Sequence, residues 1–490
     1  MASVVLCRSE EERALFEPYL TGVRPVTNAE SYSKVLVRWG NRSERAKADL
    51  TLNDLPALQR AASRRSVMAL LHLNRIRCLR LVSSHRDEGR TWVSQDALDE
   101  RGHENYMVQT IRWQTRYIVH VVNLRVIAIY QERRGRRPVR IADRHSKLVA
   151  KIIEMAVHSL HLLGLDFGRV DVALDSDDSP LVMDVDPAPK LTNRLAHLYG
   201  EALSRYVAEL SSYIDAGEAP SIRMGADPEF MLRHRETGKM IMASRFFPNG
   251  GPVGCDARTV YLNGKHHPLA ELRPEPDSSP RRLVDNIRRT MALALKLAPF
   301  RNVEWVAGSQ PYRGYPVGGH IHFSGVRLNS VMLRALDNYL GIPVMLMEYP
   351  KTAKARRRRY GRLGDHRYKE HGGFEYRTLA SWLVSPAVTR GILALASLVS
   401  RYFIVLRENN LDTYKDQRAF YQNDKPYFRD WFTQMWRRIM MLPGYEEVSD
   451  DLAVVYDLIT SHRVWSESED IRRTWKLSIP TAKFRYASSD

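Results

Sequence analysis

Cysteine is scarce and long apolar runs are missing, and each absence argues against a class of protein. The 490 residues contain only three cysteines, widely spaced and without a CxxC pair (Cys7, Cys78 and Cys255). This usage disfavours a disulfide framework and a structural zinc site, and it predicts a reducing compartment. The longest apolar stretch, residues 392–399, lies between arginines and is far shorter than the roughly 20 residues that span a bilayer.

The first residues also lack the pattern of a secretion signal. Residues 1–10 contain no basic region followed by a long apolar region, so no signal peptide is expected. Together these absences predict a cytoplasmic protein without a membrane segment.

Acidic residues are outnumbered by basic ones. Lysine and arginine total 74 against 56 aspartates and glutamates, for a formal net charge of +18. Such a charge attracts polyanions, including nucleotides, acidic peptides and nucleic acid. No zinc finger, recognition helix or aromatic RNA-binding motif is visible. Nucleic-acid binding therefore stays an alternative that the motifs do not favour.

Length and pattern divide the chain into three regions. A chain of this size predicts two or three domains, and the breaker-rich stretch 215–220 (DAGEAP) marks the end of the first. The predicted regions are 1–217, 218–386 and 387–490. Periodicity predicts strands and helices in the first two regions and helices in the third, so the predicted fold class is α+β.

Local patterns predict the individual elements. In the first region, the predicted strands are 34–39, 168–174 and 180–185, with two or three more between 106 and 131, and the predicted helices are 55–81 and 147–163. In the second region, the predicted strands are 227–232, 269–273, 320–323 and 374–379, and the predicted helices are 281–297 and 330–340. In the third, the aromatic and Met-rich run 431–441 predicts core or a dimer surface, so a homo-oligomer stays open.

Four of the predicted strands carry two polar residues at positions i and i+2. The pairs are Asp227/Glu229 in GADPEF, Glu271/Arg273 in AELRP, His320/His322 in GGHIHF and Glu375/Arg377 in FEYRTL. Side chains two apart on a strand point to the same face. One such pair is most simply the polar side of a half-exposed strand, but four pairs of acids and imidazoles need neutralising cations. Mg²⁺ binds carboxylate and phosphate oxygens, and the arginines can hold phosphates or a carboxylate.

These segments resemble, in order, the motifs of glutamine synthetase-like carboxylate–amine ligases. That superfamily includes glutamine synthetase, γ-glutamylcysteine ligase and a phage- and bacteria-associated group of COOH–NH2 ligases, which the chain resembles most. The resemblance covers residues 224–385 and implies a glutamine synthetase-like antiparallel-sheet domain with a helical C-terminal part. It also implies ATP and Mg²⁺ as cofactors, with Mn²⁺ as an alternative cation. The implied cation ligands are Asp227, Glu229, Glu271, His320 and Glu375.

The resemblance assigns arginines to the reacting groups. Arg377, and with it Arg273, is expected to contact an acyl phosphate or the substrate carboxylate. The basic segment 351–369 (KTAKARRRRYGRLGDHRYK) leads directly into the Glu375 strand. It is predicted to be a phosphate-contacting flap that keeps water from the acyl phosphate, although basic runs are usually solvated surface. The residues singled out in it for catalysis or phosphate binding are Arg359, Arg362, Arg367 and Lys369.

The first region resembles the end of an ATP-grasp fold. The segments LDFGRVDV (165–172) and VMDVDPAP (182–189) follow the strands that place metal ligands beside the ATP phosphates in that fold. The implied ligands are Asp171, Asp184 and Asp186. No glycine-rich lid of the GxGG kind lies between residues 82 and 106, so an active and a degenerate ATP-grasp-like domain both stay open.

The predicted function is ATP- and Mg²⁺-dependent formation of an amide bond from a carboxylate and an amine through an acyl phosphate. The expected substrates are small-molecule or peptide acids and amines, in peptide modification or in synthesis of a small peptide-like metabolite. Two alternatives stay open: a phosphotransferase on the same scaffold, and a basic nucleic-acid-binding protein without ligase activity.

Overall fold

The fold is described by a computed structural model that covers residues 2–28, 32–43, 46–83, 106–108, 112–261, 264–370 and 372–485. The stretch between residues 82 and 106, in which the glycine-rich lid is missing from the sequence, falls largely outside these residues.

The chain forms two compact units. The first consists of Met1–Gly217, Asn329–Arg334 and Asn410–Arg418, and the second of Glu218–Leu328, Ala335–Asn409 and Ala419–Asp490. The last long helix of the first unit ends at Ala216 and is capped by Gly217, which adopts a left-handed conformation with φ 74°. Glycine is the usual residue at this position because it has no Cβ to clash.

The described strands and helices are numbered here in chain order. The strands are β1 Ser3–Leu6, β2 Val23–Val26, β3 Ser33–Arg38, β4 Ala48–Leu52, β5 Leu81–Ser83, β6 Tyr106–Val108, β7 Thr115–Val122, β8 Arg125–Arg133, β9 Val139–Arg140, β10 Phe167–Leu174, β11 Pro180–Asp186, β12 Arg223–His234, β13 Met240–Ile241, β14 Val253–Cys255, β15 Val260–Tyr261, β16 Lys265–His266, β17 Leu269–Leu272, β18 Val303–Val306, β19 Gly319–Ser324, β20 His366–Tyr368 and β21 Phe374–Tyr376. The α-helices are α1 Glu10–Phe16, α2 Leu55–Ala62, α3 Arg64–Leu73, α4 Lys147–Leu162, α5 Asn193–Ala216, α6 Pro280–Leu297, α7 Ser330–Leu336, α8 Ile342–Met347, α9 Pro350–Arg357, α10 Pro386–Tyr402, α11 Tyr414–Gln422, α12 Lys425–Met440, α13 Ser449–Thr460 and α14 Ile471–Thr474.

The first unit contains two main sheets. One has the strand order β2-β1-β3-β4 and is parallel throughout. The other has the order β11-β10-β7-β8-β9 and is antiparallel throughout. Large rings fill part of the core, where Trp39 stacks on Phe167 at 5.4 Å and meets Tyr199 edge-on at 4.8 Å.

The helix predicted over 55–81 is two helices in the structure. They are separated at Ser63, which has extended backbone angles and accepts a hydrogen bond from the backbone N–H of Ser66. A serine that caps the second helix in this way satisfies a backbone donor that has no partner inside the helix. The second helix ends at Leu73, and Leu81 already lies in β5. The apolar pattern of the sequence continues through this boundary, so only the capping residue Ser63 marks where the first helix ends and the second begins.

The second unit is built on one antiparallel sheet. Its strand order is β14-β17-β12-β19-β21-β20, with β13 and β18 also paired to β12. The four strands that carry the polar pairs of the sequence are therefore the four neighbours β17, β12, β19 and β21. The strand predicted over 374–379 is shorter than expected and ends at Tyr376. The predicted α+β mixture of helices and antiparallel strands is confirmed.

The central strand β12 changes its neighbours at Pro228. Residues up to Pro228 pair with β19, whereas later residues pair with β17 and β18. Proline has no backbone N–H to donate to a ladder, so a proline in a central strand marks an interruption of pairing. At this point the N–H of Gly318 donates to the carboxylate of Glu229 instead, at 2.7 Å.

Helices α6, α10 and α13 cover the apolar part of the second unit. Buried positions of α6 include Ile287 and Met291, and α10 approaches α13 closely at Gly391. A Cβ at Gly391 would lie 2.7 Å from the Val455 side chain and 2.8 Å from the Asp451 carbonyl oxygen, so glycine is required for this approach. None of the helices that the structure describes combines the length and apolar character needed to cross a bilayer.

One buried arginine forms hydrogen bonds to the chain segments that flank the polar strands β19 and β21. Arg356 is fully buried, and its guanidinium donates to the carbonyl oxygens of Val317, Thr378 and Leu379. Val317 precedes β19, and the other two residues follow β21. Burial lowers the pKa of Arg356 to about 10, which leaves it charged near neutral pH. This half of the predicted flap, which forms helix α9, is therefore a structural element of the fold.

We expect the substitution Arg356→Met to destabilise the second unit. Methionine fills similar space but leaves three buried carbonyl oxygens without their donor. Since each unsatisfied buried group costs on the order of 1–3 kcal/mol, the melting temperature should fall by at least about 4 °C. The matched control is Arg358→Ala, two residues away on an exposed position, which should leave thermal unfolding within about 1 °C of the parent protein. Equal melting temperatures for R356M and the parent would contradict the assignment.

Candidate active site

The polar pairs of the sequence form one continuous row across the sheet of the second unit. The register places these residues opposite one another: Glu229 and Glu271, Asp227 and His320, and His322 and Glu375. We call the four carboxylates Asp227, Glu229, Glu271 and Glu375 the acidic row. Each is at most 9% exposed. Like charges opposite one another on neighbouring strands repel, so the row requires positive partners.

The two histidines of β19 both contact Asp227. Nδ1 of His320 lies 3.1 Å from Oδ1 of Asp227, and Nε2 of His322 lies 3.1 Å from its Oδ2. Burial alone would raise the pKa of Asp227, but the charges of His320 and His322 lower it. Burial likewise opposes a charge on His320, but Asp227 outweighs it and raises the pKa of His320 to about 9.

The two glutamates on the other side of Asp227 favour their protonated forms in the absence of a cation. Burial raises the pKa of Glu229 to about 7, and the nearby charge of Asp256 adds to the effect. Burial and the charge of Asp227 raise the pKa of Glu271 to about 8, although the guanidinium of Arg273 contacts this carboxylate. Strongly shifted carboxyl groups that share a site are a common mark of a functional site.

Glu375 is the acid with the most positive partners. Nζ of Lys369 lies 2.7 Å from its Oε2, a guanidinium nitrogen of Arg367 lies 3.7 Å from the same oxygen, and Arg377 donates to its Oε1 at 2.8 Å. Burial and the charge of Asp227 would raise the pKa of Glu375, but Lys369, His320 and Arg377 lower it. Glu375 is therefore a buried carboxylate that is held in its charged form.

Tyr360 joins the histidine to the arginine. Its hydroxyl lies 2.7 Å from Nε2 of His320 and accepts a hydrogen bond from Arg377 at 2.9 Å. The guanidinium of Arg356 lies 5.2 Å from the centre of the same ring, and that of Arg258 lies 5.9 Å from it. Sequence reasoning did not single out Tyr360, because nothing in its local pattern shows that it reaches β19.

A cavity of about 680 Å³ opens beside the acidic row. Three residues with metal-binding side chains from the polar strands line it, Asp227, Glu271 and His322, together with Asp256. Its other charged lining residues are basic: Arg223, Lys265, Arg273, Arg367 and Lys369. The cavity is thus lined both by acids that can bind a cation and by basic groups that can bind an anion.

The residues predicted for phosphate binding fall into two groups. Arg367 and Lys369 lie on or next to β20, contact Glu375 and line the cavity. Arg359 is exposed, the carbonyl of Arg362 accepts from Thr378, and neither residue is among those that line the cavity. Arg273 lines the cavity but also donates to the carbonyl oxygen of Gly251.

The side chains of this site fit a divalent cation. Among the described residues, Asp227, His322 and Glu375 offer ligand atoms that all lie within 4.8 Å of one another. Within the described part of the chain, three buried atoms here find no well-oriented hydrogen-bond partner: Asp227 Oδ1, His322 Nε2 and Glu375 Oε2. Since buried polar atoms are almost always satisfied, a cation that accepts these lone pairs fits the geometry. The resemblance implies His320 as the imidazole ligand, and Nδ1 of His320 lies 3.1 Å from Asp227 and 3.3 Å from Glu375. His322, the second member of the same polar pair, also reaches this cluster.

The acids predicted in the first unit surround an arginine. Asp171 on β10 faces Asp184 on β11, and the Arg169 guanidinium lies 3.2 Å from Asp171 Oδ1, 3.4 Å from Asp184 Oδ2 and 3.6 Å from Asp186 Oδ2. Arg116 lies 3.3 Å from the other oxygen of Asp171. Burial raises the pKa of Asp171 to about 6, against the effect of both arginines. The three acids are thus brought together, with Arg169 between them.

Solved structures to which the chain is similar include ATP-grasp ligases. The macrocyclase MdnB from Microcystis aeruginosa is 13% identical, with a TM-score of 0.28 over 42% of this chain and 99% of its own. An ATP-grasp RimK domain protein from Sphaerobacter thermophilus is 15% identical, with a TM-score of 0.29 over 42% and 99%. D-alanine–D-alanine ligase from Bacillus anthracis, solved with ATP, is 11% identical, with a TM-score of 0.34 over 45% and 99%. TM-scores this low carry no inference about function.

The comparison with protein families is more informative. No curated protein matches the chain. Residues 224–477 match the family described as phage phiEco32-like COOH.NH2 ligase, type 2. The match contains all four polar strands and the helices that follow them, and it covers more than half of the sequence. The chain therefore belongs to the phage phiEco32-like COOH.NH2 ligase family, type 2, and is a ligase.

Proposed function

We propose that the second unit joins a carboxylate to an amine with the use of ATP, and that the acidic row and its cavity are the place of reaction. The observation that carries the proposal is the meeting of four carboxylates and two imidazoles on adjacent strands, next to a cavity whose other charged lining groups are basic. A metal–triphosphate complex requires both kinds of group. A fold alone would not specify this chemistry.

The proposed reaction has two steps. In the first, a carboxylate oxygen of the acid attacks the γ-phosphorus of ATP, the bond to the β-phosphate oxygen breaks, and ADP leaves. In the second, the amine nitrogen attacks the carbonyl carbon of the acyl phosphate, the carbon–oxygen bond to phosphate breaks, and the amine loses a proton. The product is an amide with ADP and inorganic phosphate.

The acids would hold one or more divalent cations, Mg²⁺ or alternatively Mn²⁺. The proposed ligands include Asp227, Glu229, Glu271 and Glu375, with an imidazole from β19. When bound, the cation neutralises the phosphate oxygens and so stabilises the charge that develops during transfer. Glu229 and Glu271 would then bind as carboxylates, because a cation replaces the proton that burial favours on each.

Basic side chains would orient the reacting groups. Arg377 is the first choice for the acyl phosphate or the substrate carboxylate, because its guanidinium is held by Glu375 and by the hydroxyl of Tyr360. Arg367 and Lys369 lie at the cavity and suit the triphosphate. Arg273 is held more tightly by Glu271 and the carbonyl of Gly251, which favours a positioning role. Arg359 and Arg362 are not among the residues that line the cavity, so phosphate binding by them stays a proposal without support from their position.

The cavity is of the size that takes a small molecule or the end of a peptide chain. Binding pockets for small molecules span roughly 300–1,000 Å³, and this one has about 680 Å³. Arg223 and Lys265 also line it and suit an acidic substrate. The proposed substrates are therefore a small acid or peptide with a free carboxylate, and an amine.

The ATP-grasp-like first unit is proposed to bind or position a substrate, since Arg169 lies among its three acids.

Removal of one acid should stop turnover without unfolding the protein. We expect Glu375→Gln to lower ATP-dependent condensation by at least about 100-fold, because the amide keeps the shape but loses the charge that cations require. The assay is mass spectrometry for products lighter by one water than the sum of acid and amine, with pooled amino acids and peptides as substrates. Unchanged circular dichroism would confirm that E375Q is folded.

The same assay separates the alternatives. A phosphotransferase would release ADP and form a phosphorylated product without an amide. A basic nucleic-acid-binding protein would bind polyanions in a salt-dependent way, with equal strength in E375Q, and would show no ATP turnover. Either outcome would contradict the proposal.

Chelation tests the cation requirement. We expect excess EDTA to abolish ADP release, and added Mg²⁺ or Mn²⁺ to restore it, because a triphosphate in an acidic row is repelled without a cation. Full activity after dialysis against EDTA would contradict the cation role.

The proposed role of Arg377 in the reaction can be tested by a substitution that keeps its charge. Arg377→Lys retains one positive charge but cannot contact Glu375 and Tyr360 at the same time as it contacts a substrate. We expect kcat to fall by about 100-fold with a smaller change in the KM for ATP. The control is Arg358→Lys, an exposed position that is not among the residues lining the cavity, which should retain parental kinetics. An R377K enzyme with parental kcat would exclude Arg377 from the reaction.

A further inference from the structure

A third histidine, outside the polar strands, also borders the cavity. His267 lies between β16 and β17, lines the cavity and is only 8% exposed. Its backbone N–H donates to Oγ of Ser244 at 3.0 Å, and the N–H of Ser244 donates to the carbonyl oxygen of His267 at 3.1 Å. The imidazole is therefore part of the cavity wall, and its backbone is fixed on both sides of the peptide unit.

The position of the hydrogen on this ring follows from the atoms that face it. Nδ1 of His267 lies 3.0 Å from the carbonyl oxygen of Asp256 and 3.0 Å from that of Arg258. Because a carbonyl oxygen can only accept, Nδ1 carries a hydrogen and donates it. In the neutral ring Nε2 is then the nitrogen that carries the lone pair.

The lone pair on Nε2 is available to a ligand. Among the described residues Nε2 of His267 has no hydrogen-bond partner, and it is not a fully enclosed atom. Because the side chain is almost entirely buried and borders the cavity, the part of it that remains open faces the cavity. The structure thus presents a single imidazole acceptor, of fixed tautomer, to whatever the cavity contains.

The other groups that line the cavity are less suited to take up a proton. Asp227, Glu271 and His322 belong to the polar strands proposed to hold the cation, which would occupy their lone pairs. Burial raises the pKa of Cys255 to about 11, so it stays a thiol near neutral pH. Asp256 offers a carboxylate, which is a much weaker base than an imidazole. An imidazole accepts and releases protons near neutral pH, which is the property that a general base requires.

We propose that His267 is the base that receives the proton of the amine in the second step of the reaction. As the amine nitrogen attacks the carbonyl carbon of the acyl phosphate, Nε2 accepts the N–H proton, and the bond between that carbon and the phosphate oxygen breaks. The ring becomes an imidazolium, whose charge is stabilised by the two carbonyl oxygens that accept from Nδ1. The proton then passes to solvent, which restores the neutral ring. This inference rests on the proposed function, because it requires that an acyl phosphate is formed.

Hydroxylamine separates the two steps of the reaction. It is uncharged near neutral pH and attacks an acyl phosphate readily without a base, which gives a hydroxamate. The parent protein is incubated with ATP, Mg²⁺ and the pooled amino acids and peptides, with and without hydroxylamine. Mass spectrometry then measures amides and hydroxamates in the same samples, and both should form.

The variant His267→Asn tests the role of Nε2. Asparagine removes Nε2 but keeps an amide N–H near the position of Nδ1, so that the hydrogen bonds to the two carbonyl oxygens can still form. We expect H267N to form amides at least about 100-fold more slowly, which is the usual contribution of a general base. Its hydroxamate formation and its melting temperature should stay close to those of the parent, because neither depends on a base in the second step.

The matched control makes the same substitution at the neighbouring histidine. His266 is not among the residues that line the cavity, and H266N should form both products at parental rates. If H267N fails to fold, His267→Gln serves as the second variant. Glutamine places an amide near the position of Nε2 but cannot take up a proton, so it should show the same selective loss of amides.

The outcomes distinguish this inference from the proposed function. Amide formation at the parental rate in the folded variant would overturn the role of His267. An equal loss of amides and hydroxamates would also overturn it, because the residue would then act in the first step or in substrate binding. A parent protein that forms neither product would overturn the proposed function itself.

Discussion

The second unit depends on the neutralisation of negative charge at the centre of its sheet. Four carboxylates from β17, β12 and β21 lie on one face of the sheet, with β19 and its two histidines between β12 and β21. Glu229 and Glu271 stand directly opposite each other. In a buried setting such repulsion is costly, because water does not screen it. This negative charge is offset by the two imidazoles of β19, by Arg273 beside Glu271 and by three cations around Glu375. An excess of acid remains, as the raised pKa of Glu229 and Glu271 shows, and this excess fits the divalent cation proposed for the site.

Part of the high positive charge of the chain lies on arginines inside the fold. A formal charge of +18 invites the interpretation of a polyanion-binding surface, yet several arginines are used inside the fold. Arg356 binds three backbone carbonyls, Arg357 pairs with the buried Glu348, and the fully buried Arg472 pairs with Asp470. These guanidiniums have enough donors to satisfy several acceptors at once. Part of the basic composition is therefore structural, and part faces the cavity.

The same motif type has different consequences in the two units. Acids in i, i+2 pairs occur on β12 and on β11, and neighbouring strands add further acids in both places. In the second unit the face opens to a cavity, and the nearby cations leave ligand atoms free of good hydrogen bonds. In the first unit Arg169 comes from β10, the strand that also carries Asp171, and its guanidinium lies among the three acids. The strand pattern alone does not distinguish these cases, because the decisive residue can come from either strand.

The sequence by itself determined which side chains share a strand face, because alternation along a strand is a local property with a period of two residues. It predicted the polar strands, some helices of the second unit and the α+β class, and its motifs identified the ligase family. Only the tertiary structure decided that β17, β12, β19 and β21 are neighbours in that order, that the first half of the basic segment is a helix with buried arginines, and that Tyr360 reaches His320. It also decided which of the two histidines borders the cavity. These features depend on strand order, register and packing between residues that are distant in sequence, and no local pattern encodes them.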